Sequence, residues 1–267
     1  MIRSPLRYPG GKSRAVAQIH ALIPEFQEFR EPFVGGGSVF LHERQQRPEA
    51  HFWINDVYAE LYQFWRGCQL HLTAIQAQVE AWKTRFSVGK DLFSFLNATL
   101  PSMTEIERAA AFFVFNRITF SGTTLSGGYS EQAFQGRFTT SSMRRLDALP
   151  ALLQHCHITN LDFEPVIRAA GESVFIFLDP PYYSATGSAL YGKNGHLHKG
   201  FDHERLAQVL RETPHRWLMT YDDSPFIRAL YDFAYVTPWN LMYGMRNVGG
   251  NRTQVGAELF IANYPIC

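Results

Sequence analysis

Ser173-Val174-Phe175-Ile176-Phe177-Leu178-Asp179-Pro180-Pro181-Tyr182-Tyr183 is the stretch whose reading decides the fold. Its first part is a continuous apolar run of strand-forming residues, the pattern of a strand covered on both faces. A carboxylate at the carboxyl end of such a strand stands on the rim of an open α/β sheet, where ligands bind. Pro180 and Pro181 then remove two backbone donors and hold the chain extended, leaving bare carbonyl acceptors. The Tyr182 ring follows. An acid, a free carbonyl and a stacking ring together suit a flat base with an exocyclic amine. That amine has two hydrogens to donate and a lone pair drawn into the ring. The plain alternative is a strand closed by a proline turn with an exposed aromatic.

Toward the N-terminus, Phe29-Arg30-Glu31-Pro32-Phe33-Val34-Gly35-Gly36-Gly37-Ser38 reads as a short strand running into three glycines and a helix to about Arg47. Glycines there permit positive φ and close approach of backbone to a ligand at a helix start. A further strand, His51-Phe52-Trp53-Ile54-Asn55, ends in Asp56, nineteen residues past Gly37. That is close to the roughly twenty residues typical for an acid that binds ribose hydroxyls. Glycine turn plus acid indicates a nucleoside cofactor, a dinucleotide or S-adenosylmethionine. Upstream, Gly10-Gly11-Lys12-Ser13 resembles the end of a phosphate loop. Leu6 stands where that loop needs glycine, and no strand precedes it, so it is not one. It remains a turn with a cation and an aromatic, Lys12 and Tyr8, suited to an amino-acid carboxylate, before a helix bearing Ala15, Val16, Ile19, Leu22 and Ile23.

The chain's 267 residues leave room for one α/β domain plus an inserted subdomain, and 46% hydrophobic residues predict a sizeable core. No apolar run reaches the length of a membrane span, and Met1-Ile2-Arg3-Ser4-Pro5 lacks a signal peptide's apolar stretch, so a cytoplasmic protein is expected. Cys68, Cys156 and Cys267 are odd in number and far apart, which favours a reducing compartment and no structural zinc. Neighbours in His155-Cys156-His157 point to opposite faces of a strand, so no metal is expected there. A net charge of +1 is compatible with a basic groove for nucleic acid.

Between 59 and 156 helical patterns dominate: Leu61 to Leu72, Ala74 to Phe86, and a helix opened by a Thr104/Glu107 capping box. The last runs into Asn116-Arg117, then a glycine-studded stretch through Gly127-Gly128-Tyr129-Ser130 to Gly136-Arg137-Phe138. It is too long for a plain connection and is expected to be a functional loop or a hairpin. After Cys156 the α/β alternation returns. A strand Ile158–Leu161 leads to Asp162-Phe163, and the central strand follows. Next come a Gly-, His- and Lys-rich segment from Ser184 to Phe201 and a helix capped by Asp202. Strands are expected at Trp217–Tyr221, about Phe233–Val236 and Glu258–Ala262, with a short helix from Ser224.

Four motifs in this order, Tyr8-Pro9-Gly10-Gly11-Lys12, Glu31-Pro32-Phe33-Val34-Gly35-Gly36-Gly37-Ser38, Asp56 and Asp179-Pro180-Pro181-Tyr182, resemble the Dam-like (D12 class) N6-adenine-specific DNA methyltransferase family. The closing Glu258-Leu259-Phe260-Ile261-Ala262-Asn263-Tyr264 is similar to that family's final strand. The resemblance implies an α/β, Rossmann-like methyltransferase sheet of seven strands with an antiparallel final hairpin. Residues 1–58 and 157–267 would form the catalytic domain, with a mostly helical target-recognition subdomain, 59–156, inserted. It implies S-adenosylmethionine as cofactor, touched by Tyr8, Lys12, Asp56 and Asp179. The backbone around Phe33-Val34-Gly35 would cradle its methionine part, and Asp162 and Phe163 would bracket its adenine. Double-stranded DNA is the implied partner, with no membrane, and a cognate restriction nuclease is left open. The interior Thr123-Thr124-Leu125-Ser126-Gly127-Gly128-Tyr129 lacks the arginine-bearing pattern associated with reading GATC.

On this reading Asp179 and the Pro180 carbonyl accept the two hydrogens of an adenine 6-amino group and free its lone pair for the methyl group. Tyr182 stacks on the base once it is flipped from the duplex. No metal is needed. Asn116, Arg117, Tyr129 and Arg137 are the expected DNA-binding residues, the arginines contacting guanine or phosphate and Tyr129 wedging into the vacated space. A nicotinamide dehydrogenase would leave Pro180-Pro181-Tyr182 without a task. A cytosine-ring methyltransferase needs a nucleophilic Pro-Cys pair, which is absent. Methylation of RNA or of a protein glutamine, and DNA binding without catalysis, are the remaining alternatives.

Overall fold

The apolar run Val174–Leu178 forms strand β4, buried at every position. Its side chains alternate between two cores: Phe175 and Phe177 face one, Val174, Ile176 and Leu178 the other. The structure is a computed structural model that describes residues 1–8, 10–183, 200–242 and 255–266. Most of the Ser184 to Phe201 segment, together with Pro9 and Cys267, lies outside the described residues.

Around β4 the other strands are β1 (Glu28–Glu31), β2 (His51–Asn55), β3 (His157–Thr159), β5 (Arg216–Asp222), β6 (Tyr235–Met242) and β7 (Val255–Ala262). They make one seven-stranded sheet in the order β3-β2-β1-β4-β5-β7-β6. The pairs from β3 to β5 are parallel, and β7 runs antiparallel between β5 and β6. Strand order reverses between β1 and β4, which opens a crevice at their carboxyl ends. Buried Arg30 on β1 braces that region from below, donating to the carbonyls of Val166, Ala169 and Ala170.

Helices Phe163–Arg168, His203–Glu212 and Pro225–Leu230 cover one face. Helices Val16–Leu22, Ser38–Gln46 and Ala59–Leu70 lie in the cluster on the other. The helical stretch 59–156 has no separate core. Leu61, Phe64, Trp65, Phe112 and Phe113 belong to the same cluster as Phe29, Phe52 and Phe175 of the sheet. The Thr104/Glu107 capping box is present on helix Glu105–Ile118.

Several details depart from the sequence reading. Gly89–Thr99 is an additional helix, which the glycine at its start and the lack of a side-chain cap conceal. Of the two forms expected for the glycine-studded stretch, a loop or a hairpin, the loop is the one present. The stretch after Thr119 closes on itself through a single Thr119–Tyr129 bridge and two 3-10 turns, and helix Glu131–Arg137, capped by Ser130, follows. Of His155-Cys156-His157 only His157 lies in a strand; His155 has φ 61°.

Candidate active site

Asp179 leaves the end of β4 next to the glycine loop that follows β1, in a cleft of about 460 Å³, within the size range of ligand sites. Its Oδ1 is fully engaged. Lys12 Nζ lies 2.7 Å away and Thr220 Oγ1 donates to it at 2.9 Å. Among the described residues no protein group reaches Oδ2 or the Pro180 carbonyl. The Tyr182 ring is stacked on Tyr221 at 5.7 Å, and Lys12 Nζ stands 4.9 Å from its centroid. Its hydroxyl donates to Glu258 Oε2 at 2.9 Å. Burial holds the Tyr182 phenol well above its ordinary pKa, as do the neighbouring Asp179 and Glu258 charges, so it keeps its proton.

The glycine loop is fixed from three sides. Gly35 N–H donates to Asp56 Oδ2 at 3.0 Å, and the Gly35 carbonyl accepts from Trp65 Nε1 at 3.1 Å. With φ +47° and a Tyr8 ring carbon 2.8 Å from where a Cβ would stand, position 35 admits only glycine without strain. Asp56 Oδ1 accepts from Tyr58 N–H at 3.0 Å, so both carboxylate oxygens are held and each retains further acceptor capacity. Burial pushes its pKa up to about 6, against which the Tyr58 and Gly35 hydrogen bonds act. Phe33 and Phe163 line the same cleft with their rings 5.7 Å apart, and Phe201 lies 5.6 Å from Phe33 and 5.7 Å from Phe163. Asp162 is at the rim, where it caps the helix Phe163–Arg168 and pairs with Arg205 at 2.6 Å. Tyr8, Lys12, Phe33, Gly35, Asp56, Asp162, Phe163, Asp179, Pro180 and Tyr182 therefore share one site.

The expected DNA-binding residues stand in different settings. Asn116 is fully buried and spends its amide on the Arg7 backbone, Gly122 O and Arg117. Arg117 is 3% exposed and donates to Pro5 O and Asn116 Oδ1. Both act as internal struts beneath the N-terminal segment. Tyr129 is not a free wedge either. Its ring packs beside Phe93 and Phe134 and its hydroxyl donates to Glu131, contacts that insertion would forfeit. Arg137 is exposed. It adds its charge to those of Arg7 and Arg145 around Arg117, whose pKa is lowered first by burial and then by these three neighbours. Arg7 Nη1 and Arg117 Nε are buried without a hydrogen-bond partner.

Comparison with known proteins adds to this geometry. The model of the D12 class N6 adenine-specific DNA methyltransferase family matches residues 8–245. The chain belongs to this family. The DNA N-6-adenine-methyltransferase of Escherichia phage P1 is 30% identical over 86% of this chain, which spans only 31% of that longer protein. The type II methyltransferase M1.LlaDCHI of Lactococcus lactis is 25% identical, with 98% of this chain and 96% of that one covered. The DNA adenine methylase of Vibrio cholerae is 26% identical, with 93% and 91% covered.

In this D12 methyltransferase the seven-stranded, mostly parallel sheet matches what the resemblance implied. Methyltransferases of this family generally take S-adenosylmethionine as methyl donor. Among the described residues no helix is long and apolar enough to cross a membrane. Three residues that stand out in the structure, of which Glu31 alone lines the cleft, were not singled out from the sequence. Glu31 lines the cleft with Oε2 buried and unpartnered; its signal was an acid at the end of β1, the position Asp179 holds on β4. Burial and then Asp179 raise its pKa well above the carboxylate range. Arg7 precedes Tyr8 in the first motif. Phe120, 61% exposed, is the outward aromatic of the pinched loop, where Ser121 has φ 52°.

Proposed function

We propose that this chain transfers a methyl group from S-adenosylmethionine to the 6-amino group of an adenine flipped out of double-stranded DNA. The observation that carries the reading is the pair of acceptors that no described residue engages, Asp179 Oδ2 and the Pro180 carbonyl, beside the Tyr182 ring. Two acceptors suit an amine with two hydrogens. By accepting both they draw the nitrogen toward tetrahedral geometry and release its lone pair, and they strengthen as positive charge develops on it.

The cleft fits the methyl donor. Asp56 suits ribose hydroxyls, and the orphaned Glu31 Oε2 and the Gly35 backbone, which a Cβ would obstruct, suit the amino-acid end. Phe33 and Phe163 suit its adenine. S-adenosylmethionine, when bound, supplies an electrophilic methyl group on a sulfonium and leaves as a neutral thioether. Lys12 holds Asp179 by Oδ1 so that Oδ2 faces the amine. Every residue lining the cleft lies outside 59–156, which supports 1–58 and 157–267 as the catalytic part and the helical insert as the recognition part. The free, buried thiols of Cys68 and Cys156 support a reducing, cytoplasmic setting.

Incubating duplex DNA with labelled S-adenosylmethionine and sequencing the product for N6-methyladenine tests the activity. Label found on RNA or protein instead of DNA overturns it. Asp56→Ala removes a charge-assisted acceptor and is expected to weaken cofactor binding by about 1.5–3 kcal/mol, with folding intact, in calorimetry. The wild-type affinity should also rise with pH through about 6, since hydroxyls donate to the ionised carboxylate. The sign for stability is opposite. Folded Asp56 binds its proton more tightly than the unfolded chain does. Its contribution to stability is thus fully present below about 3.8 and lost as pH rises through about 6.

The cation cluster of Arg7, Arg137 and Arg145 around buried Arg117 supports a grip on DNA phosphate, and Phe120 is the loop's candidate wedge. Arg137→Ala is expected to weaken binding of all sequences alike and to lower the salt slope by about one. A methylated motif relaxed at one base in this variant would instead assign Arg137 to direct readout.

A further inference from the structure

Glu258 sits inside the sheet where an apolar residue would serve the fold better. On β7 it pairs with Asp222 of β5 and Trp239 of β6, and it is 1% exposed. One oxygen, Oε2, accepts the Tyr182 hydroxyl at 2.9 Å; the other, Oε1, is buried with no partner. A strand carboxylate left half-satisfied is costly, and its single hydrogen bond goes to the ring beside which the target base is placed.

We propose that Glu258 is the positioning residue of this active site, seating Tyr182 and, through its negative charge, making the Tyr182 ring face more electron-rich during methyl transfer. The inference rests on the adenine methylation proposed above. A phenol donating to a carboxylate shifts electron density into its ring, and a richer ring face attracts positive charge more strongly. Positive charge develops on the amine nitrogen as it is methylated, so the gain is larger in the transition state than before it. Protonated Glu258 offers only a neutral acceptor and the gain falls.

The charged groups around Glu258 allow it to change protonation under ordinary conditions. Burial raises its pKa to about 7, Lys12 and the Tyr182 hydrogen bond lower it, and Asp179 and Asp222 raise it. Glu258 is thus an acid that ionises as pH rises through neutrality, and methyl transfer should rise with it.

The test compares pH–rate profiles for single-turnover methylation of duplex DNA by the full chain and by Glu258→Gln and Tyr182→Phe. Glutamine keeps the volume and the acceptor but cannot ionise. In the wild type kcat is expected to climb through about pH 7 to a plateau. Glu258→Gln should show no such limb and a plateau roughly ten-fold lower, the scale of one cation–π contact in a desolvated site, with KM for both substrates unchanged. Tyr182→Phe should lose the limb as well, and the double variant should be no slower than the slower single one, because both act through one hydrogen bond. A Glu258→Gln enzyme with the wild-type rate and profile overturns the proposal, as do independent, multiplying losses in the double variant. Should Glu258→Gln fail to fold, Tyr182→Phe decides alone: an intact limb in that variant rejects the proposal. Absence of DNA methylation by the wild type would reject the parent reading, a result distinct from all of these.

Discussion

Asp179→Ala is expected to lower the methylation rate by about two to three orders of magnitude while leaving the protein folded. The loss corresponds to about 2.7–4 kcal/mol, typical of deleting one preorganised polar group that acts on developing charge. Asp179 does two things that alanine cannot. Its Oδ2 accepts an amine hydrogen, and its Oδ1 holds Lys12, which is 3% exposed and would lose its carboxylate partner. Part of the effect should therefore appear as a displaced lysine. A Lys12→Met, Asp179→Ala double variant should be more stable than Asp179→Ala alone, though no more active. Single-turnover kinetics and thermal melting separate the two. Methylation by Asp179→Ala at near the wild-type rate would remove this carboxylate from the chemistry.

Trp65→Ala is expected to cost about 3–5 kcal/mol of stability, read as a lower urea midpoint at unchanged m. Trp65 is wholly buried, packs beside Phe64 and Phe40, and fills the space where a side chain at Gly37 would lie. Its Nε1–H holds the Gly35 carbonyl. Trp65→Phe isolates that bond. It retains most of the ring, leaves the buried carbonyl unpaired at a cost of about 1–3 kcal/mol, and should weaken cofactor binding through the loosened loop. Equal cofactor affinity in Trp65→Phe and the wild type would mean that Asp56 alone fixes Gly35.

The contrast between these two residues shows what was legible in the sequence. Asp179, Gly35 and Asp56 announce themselves because their chemistry is local: an acid at a strand end, a glycine before a helix, an acid after the next strand. The parallel strands were nearly as legible, since a run such as Val174–Leu178 fits few other structures, whereas β6, expected at about Phe233–Val236, runs Tyr235–Met242. Trp65 gave no sign of its role, because its partner is thirty residues earlier and a tryptophan on an amphipathic helix reads as ordinary core. Glu258 was quoted only as part of a last strand. Its bond to Tyr182 spans seventy-six positions and depends on β7 inserting between β5 and β6. The burial of Asn116 and Arg117 was hidden for the opposite reason. Their side chains are polar and next to a glycine-rich loop, but the N-terminal segment folds over them and takes up their hydrogen bonds.

The shared hydrophobic cluster has a consequence for exchanging specificity between enzymes of this kind. A chimera cut at 59 and 156 removes Leu61, Phe64, Trp65 and Phe112 from beneath the sheet and brings in a partner's side chains that were shaped against a different face. Such a graft exposes the core and releases Gly35 at once. A graft cut within the pinched loop and the helix after it, 119–137, leaves the hydrophobic residues of the helix Glu105–Ile118 in place, although Leu125, Tyr129 and Phe134 of the exchanged stretch pack against the core and must be matched. The loop disturbs the shared core less than the whole helical insert would, and Gly122 marks its firm edge. A Cβ there would stand 2.3 Å from the Arg7 carbonyl, so a donor loop that lacks this glycine cannot be seated without moving the N-terminal segment.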